Sequence, residues 1–143
     1  DRPVLRELGQ TRAGYLGGSQ FVFSQHCKSL RTLGVSDEKI ANINAWGISD
    51  LYSPEERAIL FYTDCLISGF GRVDEPTFAK MKEFFTDEQI FEYTYIIALY
   101  GMHAVITRAL RMEYDDREEP VVEIAAPEGF KGMDLGSSIS LDD

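Results

Sequence analysis

Along residues 1–112 the apolar positions recur every three or four residues, and most runs open on a residue able to cap a helix. Asp1 ahead of Pro3 starts the first, in which Val4, Leu8 and Tyr15 share a face with Glu7 and Thr11 at its edge. Gly9 and Gly14 weaken this helix locally, and Gly17-Gly18 end it. The next stretch, SQFVFSQHCKSLRTLG over Ser19–Gly34, organises the rest. Ser19 reads as its N-cap and Gly34 as its stop. Ser19, Val22, Phe23, His26, Leu30 and Leu33 fall on one side, and Gln20, Ser24, Lys28 and Arg31 on the other. Ser36 caps a short helix whose third position is Lys39, so half of a capping box is missing, and Ile40, Ile43 and Ala45 form its buried side.

Ser53-Pro54-Glu55-Glu56 is a stronger start: a cap, a proline in the first turn, then acids at the positive end of the dipole. The helix it opens runs to about Ser68 and buries Ile59, Leu60, Cys65, Leu66 and Ile67. Asp74-Glu75-Pro76 opens another, carrying Phe78, Met81, Phe84 and Phe85. Thr86-Asp87-Glu88-Gln89 opens the longest, which runs to about Met112 and is apolar almost all round between Ile90 and Ile106. Glu92, Tyr100, His103 and Thr107 form one polar seam on it. A membrane span needs about 20 clean apolar residues. Glu92, Thr94 and His103 interrupt this run, so a central helix or a subunit contact is the better reading. With no strand pattern in the chain, the expectation is an all-α protein of about six helices.

Composition changes this picture in one respect. The net charge of −10 is unevenly spread: residues 1–112 hold 12 basic and 14 acidic side chains, and residues 113–143 hold 2 and 10. The body is near neutral and carries no basic stripe, which argues against nucleic acid as a partner. After Glu113 the helical period gives way to acids, Pro, Gly and Ser, the pattern of an extended or disordered tail. Residues 1–118 are therefore read as a helical domain and 119–143 as an acidic tail. Two cysteines, Cys27 and Cys65, have no zinc-type spacing and suit a reducing, cytoplasmic setting. Neither a metal nor a cofactor is expected.

The candidate chemistry centres on His26, which projects into an apolar stripe where a charged imidazolium is costly without a partner. The blocks QHCKSLRTLGVSDEKI, SDLYSPEERAIL and TDEQIFEYTYIIALYGM, in this order, resemble the carboxymuconolactone decarboxylase superfamily, which includes alkylhydroperoxidase D-like proteins. The resemblance spans about Arg6 to Asp116. It implies an all-α fold with the histidine helix in a central helical hairpin, and homo-oligomers, commonly trimers or hexamers. The redox branch of that family uses the relay motif E-x11-C-x2-C-x3-H. Laid on this chain, its Glu falls on Glu7 and its His on His26, while its cysteines fall on Ser19 and Val22. The acid–base half is kept and the dithiol is absent, which argues against peroxide reduction by a thiolate. Another branch carries a Tyr-Glu-Trp-type triplet before the histidine; here it is Phe21-Val22-Phe23.

The resulting expectation is a cofactor-free enzyme of lyase or isomerase type. Glu7 and His26 would relay a proton at a small carbonyl or lactone compound, with Ser19 a further candidate catalytic residue. Phe21, Val22, Phe23, Tyr100 and His103 are the candidates for substrate contact. The alternative is a small-molecule-binding or scaffold protein that keeps the fold without the chemistry. Two features separate these readings: an open pocket at His26 favours catalysis, and a filled core favours the alternative.

Overall fold

Five helices begin where a side chain accepts a backbone N–H that the helix leaves without a partner. Ser19 accepts from Val22, Ser36 from Lys39, Ser53 from Glu56, Asp74 from Thr77 and Thr86 from Gln89. At Ser53 and Thr86 the box is reciprocal, because the Glu56 and Gln89 side chains accept from the capping residue's own N–H. In the computed structural model, which describes residues 2–112, the helices are α1 (Arg2–Leu16), α2 (Gln20–Thr32), α3 (Asp37–Ala41), α4 (Pro54–Ile67), α5 (Glu75–Phe84) and α6 (Asp87–Ala109). A 3-10 turn, Ile43–Ile48, makes a seventh, and no strand occurs among the described residues. The acidic tail expected at 119–143 lies outside them.

α1 is the hub, packing against α2, α4 and α6. Leu5 and Ala13 of α1 join a core with Ile59 of α4 and Tyr93, Ile97 and Tyr100 of α6. Leu8 joins a second core with Leu30, Ile40, Ile43, Trp46 and Leu60. Leu8, Ile59 and Leu60 are fully buried, each contributing about 1.5–3 kcal/mol by removal from water. Gly9 and Gly14, expected to weaken α1 locally, both lie at close helix contacts. A Cβ on Gly9 would stand 2.7 Å from Ile97, and one on Gly14 would stand 2.8 Å from the backbone nitrogen of Phe23.

Several predicted faces are also corrected. Tyr15, Leu33 and Phe78 are exposed, because each lies on the rim of its apolar stripe, where neighbouring helices cover it only in part. Ala45 is exposed as well: the chain breaks from α3 into the 3-10 turn, and the altered rotation buries Trp46 in its place. α6 stops at Ala109, three residues short of Met112. Its apolar circumference divides into a buried side and an exposed side, the latter carrying Phe91, Tyr95, Met102 and Val105. By length and composition α6 alone among the described helices could cross a membrane, but Ile90, Tyr93, Ile96, Ile97, Tyr100 and Ala104 are buried within the protein.

Candidate functional site

The α1–α2 hairpin turns at Gly17-Gly18, where Gly18 takes φ +67°. Such backbone is open to glycine at little cost. Because Gly14 has no side chain, the first turn of α2 seats directly on α1. The two helices then run back along each other, and residues on facing turns meet. Glu7 Oε2 lies 2.7 Å from His26 Nδ1, with the two residues 3% and 2% exposed. Gln10, one turn after Glu7, is also fully buried. Its amide, oriented by the acceptors around it, donates to Glu7 Oε1 at 2.9 Å and Oε2 at 3.1 Å.

A carboxylate taken from water needs such donors, since without them its charged form is strongly disfavoured. The 2.7 Å contact suits a charge-assisted bond. If Nδ1 donates to Glu7, the neutral ring keeps its lone pair on Nε2 and can act there as a base. The His26 ring meets Tyr100 of α6 edge-on, centroids 4.3 Å apart, and Tyr100 in turn meets His103 at 5.0 Å. Glu7, Gln10, His26, Tyr100 and the half-exposed His103 thus form a line from the interior towards the surface.

The other sequence-derived candidates have different surroundings. Ser19 is buried, and its hydroxyl both caps α2 and lies 2.9 Å from the Thr107 hydroxyl of α6. Those bonds account for Ser19 as a structural residue. Val22 is buried in the core, Phe23 packs its ring on Tyr15 at 5.9 Å, and Phe21 is exposed. Glu92 leaves the expected seam to pair with Arg2 at the other end of α6. Burial pushes the Cys27 thiol above its usual pKa, with Arg31 opposing; burial and then Asp74 and Asp64 push Cys65 the same way. Among the described residues, no three His, Cys, Asp or Glu side chains gather as metal ligands.

Sequence reasoning missed Gln10, although its i+3 spacing from Glu7 places both on one helical face. It also missed Arg12, whose guanidinium holds Asp64 of α4 through Nε (2.7 Å) and Nη2 (3.2 Å) and donates through Nη1 to the carbonyls of Ile43 and Asn44. Trp46 Nε1 donates to the same Asp64 at 3.2 Å. This knot fixes α1 against α4 and the 3-10 turn, five residues along from Glu7. Clefts of about 640, 450 and 390 Å³ open elsewhere, and neither Glu7 nor His26 lines any of them.

Comparison with known proteins agrees with this architecture. The sequence pattern of the Carboxymuconolactone decarboxylase family matches residues 2–64, the segment that holds Glu7, Gln10 and His26. YdfG of Bacillus subtilis (strain 168), an uncharacterised protein, is 29% identical over 93 residues, which is 64% of this chain and 63% of that protein. The match therefore spans less than two thirds of that relative's length. ATU0492 of Agrobacterium tumefaciens, a protein of unknown function described as a candidate antioxidant defence protein AhpD, superposes with a TM-score of 0.71. It is 27% identical, over 82% of this chain and 78% of that one. Over residues 2–64 the sequence pattern is similar to that of the carboxymuconolactone decarboxylase family, and the chain has the all-α, AhpD-like architecture.

Proposed function

We propose that the chain is an acid–base enzyme of lyase or isomerase type acting on a small carbonyl or lactone compound. The observation that carries this reading is the buried Glu7–His26 bond of 2.7 Å, supported by Gln10. Glu7 accepts from Nδ1–H, which sets the tautomer and leaves Nε2 to take a proton from carbon next to a carbonyl. The imidazolium so formed is stabilised by the Glu7 carboxylate and then returns the proton to product. Such general acid–base help is worth roughly 10²–10⁴ in rate. The antioxidant description of ATU0492 transfers poorly. Ser19 and Val22 stand at the dithiol positions, and both cysteines present have raised pKa values.

A test is deuterium exchange from D2O into the carbon acids of a panel of β-keto acids and small lactones, read by NMR. The expected result is exchange that falls roughly 10²-fold or more in His26→Gln while helicity is retained. Undiminished exchange in that variant overturns the reading. One observation favours a second reading, a scaffold or binding protein: the pair is almost wholly enclosed and lines none of the three clefts. In that case no member of the panel exchanges, and His26→Gln changes stability alone.

A further inference from the structure

We infer that the cleft between the 3-10 turn, α4 and α5 binds a small apolar carboxylate. With a volume of about 640 Å³, it falls in the range of small-molecule sites. Its floor and walls are apolar, built from Trp46, Ala58, Phe61, Pro76 and Met81, with Arg57 and Lys80 beside them. Among the described residues, two cations and no carboxylate line it, in a chain of net charge −10. The local charge therefore runs opposite to that of the whole, as a site for an anion with an apolar body requires.

Arg57 supplies the specific recognition. Its Nη1 donates to the carbonyls of Trp46 (3.3 Å) and Ser49 (3.0 Å), and its Nη2 donates to that of Gly47 (3.2 Å). The guanidinium carbon lies 5.2 Å from the centre of the Trp46 ring. The group is thereby held in place, while Nε–H and the second hydrogen of Nη2 have no acceptor among the described residues. This is the same Nε–Nη2 edge with which Arg12 grips the Asp64 carboxylate. A guanidinium fixed on one edge and open on the other presents a ready fork for a carboxylate. Among the described residues, Lys80 makes an ion pair with Glu83, one turn along an exposed helix face, and lies 5.4 Å from the centre of the Phe84 ring. Exposed pairs of that kind hold weakly, so its ammonium is available as a second contact.

Trp46 is the one tryptophan of the chain and lines this cleft, so its fluorescence reports on binding there. The full chain is titrated with octanoate and, separately, with octan-1-ol, following Trp46 emission. A saturable change with octanoate is expected, with octan-1-ol binding several-fold more weakly, since each exposed charge pair contributes up to about five-fold. Lys80→Glu should weaken octanoate by a similar factor and leave octan-1-ol unchanged. Arg57→Gln should do the same, and if loss of its bonds to the turn prevents folding, Lys80→Glu carries the test. Equal binding of acid and alcohol, or indifference to Lys80→Glu, overturns the inference. So does emission that ignores both ligands but changes with protein concentration, which assigns the cleft to contact between copies of the chain.

Discussion

Glu7 is enclosed on every side, and its two oxygens are satisfied by one ring nitrogen and one amide. Replacing it by glutamine preserves shape but removes the charge-assisted acceptor, so that Gln10 faces a second amide. Glu7→Gln should cost about 1–3 kcal/mol in urea unfolding followed by circular dichroism. The cysteines give a second expectation. A raised thiol pKa means less thiolate at a given pH, so Cys27 and Cys65 should both resist alkylation near pH 7.5 and react more readily as pH rises. Mass spectrometry after iodoacetamide treatment checks this. Rapid labelling of Cys27 at neutral pH would contradict it. The same suppressed thiolate predicts negligible turnover with an organic hydroperoxide and a dithiol donor.

Between elements, contacts too close for a side chain set the geometry. Gly14→Ala would force its Cβ against the α2 backbone and should destabilise by about 1–3 kcal/mol, whereas a merely weak helix residue would be improved by alanine. Thermal unfolding decides between these signs. Asp64→Asn takes one charge from the Arg12 grip and should likewise cost about 2–3 kcal/mol. Helix starts were legible in the sequence because a cap depends only on residues three apart, as at Ser53 with Glu56 and Thr86 with Gln89. The Glu7 and His26 pairing was legible only through the resemblance to the family's relay motif, whose spacing the tight hairpin turns into facing positions. Burial of stripe edges was not, because Tyr15 and Leu33 are covered or bare according to where other helices stop. The Arg12–Asp64 knot joins positions 52 apart, beyond any local pattern.

At the scale of the molecule, the exposed face of α6 is the feature least suited to an isolated chain. Phe91, Tyr95, Ala98, Met102 and Val105 recur along it at helical spacing and are all exposed, and apolar stripes of this kind mark contact surfaces. We expect self-association through this face, with sedimentation showing a multiple of the monomer mass and Val105→Glu shifting it downwards. A stable monomer at micromolar concentration would refute this. The hydroxyl pair of Ser19 and Thr107 joins the start of α2 to the last turn of α6, and it bears on whether thiol chemistry can be restored. Ser19→Cys with Val22→Cys would recreate the cysteine spacing of the redox branch. It would also trade an oxygen cap for sulfur, weaken the clasp to Thr107 and place both thiols in the dry interior. Two codon changes would thus recover the motif without an exposed nucleophile, and a working peroxidase would further require α6 to lift its final turn.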